Sequence, residues 1–149
     1  MNLNFFAAGM DDVELILKMQ QDFYAIDDYN FNRDAAKEAL RIFLNNSNYG
    51  KIWLIMGNGQ NVGYVALTLG FSFEFKGRDA FLDELYVLPE YRSNGIGTKT
   101  VEFVAEKAKE MGVKAIHLEV EIHNEAGRAL YRSFDFQDHN RVLMTRWLV

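Results

Sequence analysis

The sequence predicts a single α+β domain of about seven strands and four helices, in the order β-α-α-β-β-β-α-β-α-β-β. Apolar residues recur every second position in some segments and every third or fourth position in others, which separates strands from helices. The length of 149 residues is sufficient for one hydrophobic core and too small for two ordinary domains. We therefore expect one domain over residues 1–149.

The first half of the chain is predicted to form a strand, two helices and a hairpin. A strand over 3–8 precedes a helix over 12–24, for which Asp11 is a suitable N-cap. A second helix, capped at Asn32 and ended within 45–50, is expected to bury Ala36, Ala39, Leu40 and Phe43. Strands at 51–56 and 62–75 form the hairpin, because the pair Asn58-Gly59 suits a tight primed turn.

The second half is predicted to alternate strands and helices. A strand over 81–87 leads through Pro89 into a helix whose buried face comprises Val101, Val104, Ala105 and Ala108. A strand over 115–122, a helix over 125–133 and a closing hairpin of 136–140 and 142–149 follow. The alternating residues Phe71, Phe73 and Phe75 are expected to belong to the core, although they could instead line an apolar part of a pocket.

Composition and charge narrow the functional classes. The net charge of −5, without a basic stripe, disfavours nucleic-acid binding. The absence of cysteine excludes disulfides, thiolate metal sites and a cysteine nucleophile. The start of the sequence has neither a basic segment nor a long apolar run, so we expect no signal peptide, no membrane span and a cytoplasmic location. The histidines are not clustered with acids at ligand spacing, so no metal is expected; they are His117, His123 and His139.

A glycine turn between the strand over 81–87 and the next helix is the main functional signal. Arg92, Gly95 and Gly97 have the spacing RxxGxG. A helix start leaves unpaired N–H groups and a partial positive charge, and glycines let the backbone close on a ligand, so this turn can hold a phosphate. Other phosphate motifs fit poorly, since there is no P-loop and Thr100 stands where a dinucleotide fingerprint needs its third glycine.

The longer string VLPEYRSNGIGTKTVEFV resembles motif A of the GNAT superfamily of N-acetyltransferases. The matching residues are Val87, Pro89, Tyr91, Arg92, Gly95, Ile96 and Gly97. Residues 124–136 resemble motif B of the same family, with matches at Asn124, Leu130, Tyr131 and Phe136. The chain departs from motif B at Gly127, where alanine is usual, and at Asp135, where glycine is usual and a positive φ is expected. The predicted element order is also that of the GNAT fold, which implies a mixed, mostly antiparallel sheet.

This resemblance implies an N-acetyltransferase that uses acetyl-CoA and acts by direct transfer to a primary amine in a ternary complex. A small-molecule amine is the expected acceptor. The alternatives are a non-catalytic acyl-CoA-binding or regulatory module, a nucleotide-binding regulatory domain, and acetylation of a protein N-terminus or lysine. The residues expected to contact acetyl-CoA are Leu85, Tyr86, Val87, Arg92, Ser93, Asn94, Gly95, Ile96, Gly97, Thr98 and Asn124. Asn124 could equally be a helix N-cap.

Acetyl transfer to an amine needs a base, stabilisation of an oxyanion and a proton for the departing thiolate. Glu84 is the candidate base because it lies on the strand that leads to the turn, at a position where the resemblance implies a carboxylate. Alternatively, Glu84 is an ordinary exposed carboxylate paired with Arg78 or Lys114, and the base is Asp83 or a water chain. Side-chain alternation sends Asp83 to the opposite face.

The resemblance makes Tyr131 the candidate acid, because a phenol can hydrogen-bond and protonate a leaving sulfur. The alternative is a core tyrosine of the last helix. Backbone N–H groups near 85–87 would meet the oxyanion, where that strand diverges from the strand over 115–122. The edges freed by this divergence would pair with the amide-rich arm of the cofactor.

The segment over 24–31 is the candidate acceptor wall. Its acidic and aromatic residues suit a cationic amine; they are Tyr24, Asp27, Asp28 and Tyr29. A solvated connector with packing aromatics is the alternative. The apolar stretch MTRWLV at 144–149 could finish the sheet or join a homodimer interface.

Overall fold

The computed structural model describes residues 1–149 as two compact units, Met1–Glu119 and Val120–Val149. The elements of the first unit are β1 (Leu3–Ala7), α1 (Val13–Ile26), α2 (Arg33–Leu44), β2 (Gly50–Gly57), β3 (Gln60–Ser72), β4 (Gly77–Val87), α3 (Ile96–Glu110) and β5 (Ala115–His117). Short 3-10 turns at Met10–Asp12 and Pro89–Tyr91 precede α1 and α3. The second unit contains α4 (Glu125–Ser133). Up to α4, the element order agrees with the prediction.

The sheet has five strands in the order β1-β2-β3-β4-β5. Every neighbouring pair is antiparallel except β4 and β5, which are parallel, so the expected mixed, mostly antiparallel sheet is confirmed. The parallel pairing is short, because it joins only Asp79–Phe81 to Ala115–His117. Beyond Phe81, β4 therefore has one edge without a strand partner.

The prediction of about seven strands is wrong. The segment over 118–122 continues the alternation of β5 without strand pairing, and residues 136–149 contain no strand. Alternation shows which side chains would share a face, but a strand also needs a ladder of hydrogen bonds with a neighbour. A single domain and a homodimer formed through residues 144–149 stay predictions.

Helices cover both faces of the sheet. On one face, α1 and α2 pack on side chains of β2, β3 and β4; the buried cluster is Val13, Ile16, Leu17, Met19, Leu40, Ile52, Leu54, Tyr64, Ala66 and Tyr86. On the other face, Ile96 of α3 packs with Ile55 and Val62. Phe103 of α3 stacks on Phe5 at 4.1 Å between ring centroids. The alternation of β2 thus divides its side chains between two apolar layers.

Several local expectations are confirmed. The Asn32 side chain accepts a hydrogen bond from the backbone N–H of Ala35 over 3.1 Å and caps α2. Asn58 and Gly59 both have positive φ, 51° and 80°, as a primed hairpin turn requires. The cap of α1 lies one residue later than expected, since Asp12 rather than Asp11 occupies the N-cap position.

Four residues that were predicted to be buried are exposed. Ala39 and Ala105 are exposed, each at the margin of its helix's buried face. Phe71 and Phe73 are 71% and 87% exposed. They lie at the end of the β3–β4 hairpin and pack against each other with ring centroids 5.8 Å apart. The predicted strand over 62–75 is too long, because β3 ends at Ser72, and Phe73 and Phe75 lie in the turn that follows. Phe75 is half-buried, whereas no other element covers the side chains of Phe71 and Phe73.

Candidate active site

The two acidic candidates of β4 lie at a β-bulge. The register pairs Leu82 with Leu67 and Glu84 with Ala66, so Asp83 has no partner on β3. Such an extra residue bends the strand and changes the direction of the side chains around it. Glu84 consequently shares a face with Ala66, a member of the cluster covered by α1 and α2, and is only 8% exposed.

The buried Glu84 carboxylate accepts three hydrogen bonds from uncharged side chains. Gln20 Nε2 and Tyr64 Oη donate to Oε1, each over 2.9 Å. Tyr24 Oη donates to Oε2 over 2.8 Å. These donors compensate the loss of hydration of a buried charge. A carboxylate has about four lone-pair positions, so one position, on Oε2, is left for a further donor.

The alternative of an exposed Glu84 paired with Arg78 or Lys114 is therefore wrong. Strand alternation could not reveal the burial, because the covering helix is far away in the chain. Gln20 and Tyr64 were missed as members of the site for the same reason. They are 64 and 20 residues from Glu84, and neither belongs to a recognisable local motif.

The two phenols that contact Glu84 are held in their protonated form. Burial, followed by the negative charge of Glu84, raises the pKa of Tyr24 and of Tyr64 well above the ordinary phenol value. Both hydroxyl groups thus remain neutral hydrogen-bond donors at physiological pH. They position Glu84 and do not themselves titrate during a reaction near neutral pH.

Asp83 keeps contact with solvent, in contrast to Glu84. Even so, partial desolvation of its carboxyl, followed by the charges of Glu84 and Glu119, raises the pKa of Asp83. The charge of Asp83 also adds to the raised pKa values of Tyr24 and Tyr64. The two neighbouring carboxylates therefore interact electrostatically, although alternation predicted that they lie on opposite faces.

The candidate acceptor wall is joined to Glu84 through Tyr24. The Tyr24 ring makes edge contacts with Tyr29 and Phe31, at centroid distances of 6.5 and 5.4 Å. Tyr29 is 59% exposed, and Asp27 and Asp28 are exposed as well. The segment therefore presents aromatic and acidic side chains, while the Tyr24 hydroxyl is directed to the carboxylate.

The glycine turn ends in a helix start that no side chain caps. Gly95 occupies the N-cap position of α3 in the left-handed conformation, with φ of 76°. Lys99 N is the first to bond back, to Gly95 O over 3.2 Å, so the N–H groups of Ile96, Gly97 and Thr98 have no acceptor within the helix. This arrangement fits the pyrophosphate of a coenzyme, because it offers unpaired donors and the positive end of a helix.

Side chains of the turn hold its shape. Arg92 Nε donates to Val87 O over 2.8 Å, and its guanidinium lies over the Tyr86 ring at 5.4 Å. Asn94 Nδ2 donates to the carbonyl oxygens of Tyr91 and Arg92. Ser93 adopts a positive φ of 65°. These contacts fix the backbone from which the unpaired N–H groups project.

The open edge of β4 fits an amide-rich ligand. Leu85, Tyr86 and Val87 pair with β3 on one side only. Strand β5 pairs no further along β4 than Phe81. An extended chain of amides can bind such an edge as an additional strand would.

The second unit contains the remaining candidates. Asn124 Oδ1 accepts a hydrogen bond from Gly127 N over 2.9 Å, so the N-cap expectation is confirmed. A Cβ atom at position 127 would lie 2.6 Å from Asn124 Nδ2, which explains glycine there. Asp135 has the expected positive φ, 66°. Burial raises the pKa of Tyr131, whose ring makes an edge contact with Phe136 at 5.9 Å.

No group of three or more histidine, aspartate or glutamate side chains is arranged to hold a metal ion. His117 Nε2 instead lies 3.1 Å from Asp79 Oδ2, across the β4–β5 pairing. None of the helices has the length and apolar character needed to cross a bilayer.

Three features suit the binding of a long cofactor that carries phosphate groups: the mixed sheet, the uncapped helix start and the open strand edge. Together they are typical of enzymes that use a coenzyme. The sequence profile of the Acetyltransferase (GNAT) family matches residues 15–136, and the chain belongs to this family. Acetyltransferases of this family use acetyl-CoA as the acyl donor, and a predicted acetyltransferase of Clostridium acetobutylicum with the same fold has been solved with acetyl-CoA. The resemblance of the two sequence motifs is thereby confirmed.

Individual relatives agree with this assignment. The chain is 31% identical over 133 residues to an uncharacterized N-acetyltransferase of Archaeoglobus fulgidus, covering 87% of this chain and 90% of that protein. It is 39% identical over 77 residues to the thialysine N-epsilon-acetyltransferase of Bos taurus, covering 52% of this chain and 45% of the relative. The chain thus spans about half the length of that relative.

Among solved structures, an integron cassette protein from the mobile metagenome of Cole Harbour Salt Marsh superposes with a TM-score of 0.86. Its sequence is 30% identical, and the match covers 97% of this chain and 90% of that one. The order and pairing of elements described above are therefore those of a known architecture.

Proposed function

We propose that the protein is an N-acetyltransferase that moves the acetyl group of acetyl-CoA to a primary amine of a small molecule, by direct transfer in a ternary complex. The observation that carries the proposal is the buried Glu84 carboxylate, held by three neutral donors with one lone-pair position open. It lies on the strand that leads into the uncapped start of α3. The thialysine acetyltransferase among the relatives supports a small amine as the acceptor.

The cofactor supplies a thioester, the acyl donor of the reaction. We assign its pyrophosphate to the N–H groups of the turn, with Gly95, Ile96, Gly97 and Thr98 as the central contacts. We assign further contacts with the pyrophosphate to the preceding residues Ser93 and Asn94 and to the terminal guanidinium nitrogens of Arg92. The backbone of Leu85, Tyr86 and Val87 would bind the amide-rich arm and hydrogen-bond the carbonyl oxygen as negative charge develops on it.

Glu84 is the proposed base. A protonated amine must lose a proton before it can attack, and the open position on Oε2 can accept that proton directly or through a water molecule. Asp83, at the adjacent bulge, is the second candidate. Its raised pKa brings Asp83 nearer to the range useful for a base. Its side chain is exposed to solvent, however, whereas three hydrogen bonds hold Glu84 in place.

Tyr131 is the proposed acid. Its raised pKa keeps the phenol protonated at neutral pH, the form needed to donate a proton to the departing sulfur. Asn124 is assigned a cofactor contact through its amide nitrogen, since its amide oxygen caps α4. No covalent carrier is needed in this scheme, in keeping with the absence of cysteine.

The acceptor would lie along the wall formed by Tyr24, Asp27, Asp28 and Tyr29. Exposed carboxylates attract an ammonium group, and an aromatic face stabilises a cation by about 0.5–2 kcal/mol. Tyr24 has a second role in this proposal, because its hydroxyl positions the base. A positively charged small molecule would therefore contact the carboxylates and aromatic rings of this wall, and the wall is joined to Glu84 by the Tyr24 hydroxyl.

The first experiment measures thermal unfolding with acetyl-CoA, coenzyme A, ATP and NAD in turn. A ligand that binds only the native state adds about 2.7 kcal/mol at a hundredfold excess over its dissociation constant. We expect stabilisation by the first two ligands alone. Stabilisation by ATP or NAD alone would instead support a nucleotide-binding regulatory domain.

The second experiment measures thiol release from acetyl-CoA with a panel of acceptors: thialysine, L-lysine, spermidine, kanamycin and a peptide with a free N-terminus. Glu84→Gln should lower kcat/KM by about 10²-fold or more while coenzyme A still stabilises the fold. Glu106→Gln, an exposed change on α3, is the control. Binding of coenzyme A without turnover of any acceptor would favour a non-catalytic module, and turnover of the peptide alone would favour a protein substrate.

A further inference from the structure

The Gln20 side chain has one half of its amide in use and the other half unpaired. Its nitrogen donates to Glu84 Oε1 over 2.9 Å. Its oxygen is buried and has no hydrogen-bond partner in the protein. The contact with Glu84 fixes this orientation, because rotating the amide by half a turn would bring its oxygen against a carboxylate oxygen.

The unpaired oxygen is unusual for a folded protein. Buried polar atoms nearly always have a partner, and the exceptions are often groups whose partner is a ligand or a water molecule. The neighbouring hydroxyl groups cannot supply the hydrogen bond, since Tyr24 and Tyr64 already donate to Glu84. A donor that satisfies Gln20 Oε1 must therefore come from outside this cluster.

We propose that Gln20 Oε1 accepts an N–H of the acceptor amine and thereby makes the enzyme selective for primary over secondary amines. The proposal rests on the function assigned above. A neutral primary amine carries two N–H groups and one lone pair. Glu84 takes one hydrogen through the open position on Oε2, Gln20 accepts the other, and the lone pair is left for bond formation.

The atoms balance in this scheme. The amine nitrogen forms a bond to the acetyl carbon, and the bond between that carbon and sulfur breaks. Glu84 first passes the proton of the ammonium group to solvent, so its carboxylate is free when the neutral amine is bound. During transfer one amine proton goes to Glu84 and a proton from Tyr131 goes to the sulfur, and the proton on Glu84 then returns to Tyr131 through solvent. The hydrogen held by Gln20 stays on nitrogen and becomes the N–H of the amide product. A secondary amine has only one N–H, so it cannot serve both Glu84 and Gln20.

The test compares two variants that each remove one donor to the same carboxylate oxygen. Gln20→Met removes the donor to Oε1 and the unpaired acceptor at nearly constant side-chain length. Tyr64→Phe removes the other donor to Oε1 and leaves the Gln20 carbonyl intact. Each is assayed by thiol release with the panel amine that the wild type uses best and with its N-methyl derivative. Thermal stabilisation by coenzyme A confirms that each variant is folded.

We expect the preference for the primary amine, as a ratio of kcat/KM values, to fall about tenfold in Gln20→Met. In Tyr64→Phe the ratio should stay within about twofold of the wild type, even though the activity with both amines falls. If Gln20→Met does not fold, Gln20→Asn replaces it, because the shorter amide withdraws the oxygen and should show the same fall.

An unchanged ratio in the Gln20 variant would overturn the inference and leave the proposed function intact. That result would mean that Gln20 acts only by positioning Glu84, with a water molecule at its oxygen. A parallel fall of the ratio in both variants would overturn it as well. Absence of turnover by the wild type with every acceptor would overturn the proposed function, and this inference with it.

Discussion

The hydroxyl of Tyr24 donates to Oε2 of Glu84 over 2.8 Å, although the two residues are 60 positions apart in the chain. This hydrogen bond joins α1 to the bulge of β4. It also connects the candidate acceptor wall to the candidate base, so a change at the wall affects the carboxylate directly. Tyr24 therefore belongs to the candidate catalytic group as much as to the substrate surface.

The first prediction concerns this contact. Tyr24→Phe should lower the free energy of unfolding by about 1–2 kcal/mol, because a buried carboxylate loses a donor. It should also lower kcat/KM about tenfold, since Oε2 is no longer held in place. Chemical denaturation and the thiol-release assay measure the two effects. Tyr49→Phe, at an exposed tyrosine between α2 and β2, is the control, and equal effects of both changes would contradict the prediction.

The sequence predicted most of the scaffold and only part of the site. The turn at Arg92 to Gly97 and the caps at Asn32 and Asn124 were predictable because each depends on neighbouring residues. The burial of Glu84 was not, because it results from a bulge and from a helix distant in the sequence.

The partners Gln20 and Tyr64 had no sequence signal for a similar reason. A polar residue on an otherwise apolar face can be a core residue with a satisfied side chain or a member of a site, and only the three-dimensional contacts distinguish these cases. Conversely, strong local patterns over 136–149 predicted strands for which the structure provides no partner. Local chemistry is visible in a sequence, whereas pairing across the fold is not.

The second prediction concerns the dependence of stability on pH at Asp83. Partial desolvation and then Glu84 raise the pKa of Asp83, so the folded state binds its proton more tightly than the unfolded state does. The ionised carboxylate therefore destabilises the fold at neutral pH, and this penalty disappears as the pH falls below the ordinary aspartate value of 3.8. Asp83→Asn should raise the Tm at pH 7, and the gain should vanish near pH 3.5.

Thermal unfolding of wild type and variant at both pH values measures this difference. Glu119→Gln is a useful second variant, because the charge of Glu119 raises the pKa of Asp83 less than burial and the charge of Glu84 do. Its removal should therefore raise the Tm at pH 7 by a smaller amount. A gain that is equal at both pH values would show that charge is not its cause.

The third prediction separates backbone strain from cofactor binding. Gly95 and Gly112 flank α3, and their φ values are nearly equal, 76° and 77°. A Cβ atom at either position would meet nothing within 4 Å, so alanine adds strain without a clash. Each change to alanine should destabilise the fold by about 1–2 kcal/mol.

Only Gly95→Ala should weaken coenzyme A binding, because Gly95 shapes the turn whose N–H groups we assign to the pyrophosphate. Calorimetric titration of both variants with coenzyme A gives the comparison. Equal affinities of Gly95→Ala and Gly112→Ala would remove the turn from the proposed cofactor site.

The fourth prediction concerns Tyr131. Burial raises the pKa of this phenol, so it stays protonated across the neutral range and loses its proton only in strongly alkaline solution. Tyr131→Phe keeps the ring that contacts Phe136 and removes only the hydroxyl. We expect kcat to fall by about 10²-fold while the dissociation constant of coenzyme A changes less than about twofold, because the lost group acts on the leaving sulfur and not on binding.

The response to the acidity of the leaving thiol decides between an acid and a packing tyrosine. If Tyr131 is the acid, no loss of kcat caused by its deprotonation should appear between pH 7 and 9 in the wild type. In Tyr131→Phe, replacing acetyl-CoA with an acyl donor whose leaving thiol is more acidic should restore most of the lost rate, since a better leaving group needs less protonation. A variant rate that does not respond to the acidity of the leaving thiol would contradict the acid role and leave Tyr131 as a packing residue of α4.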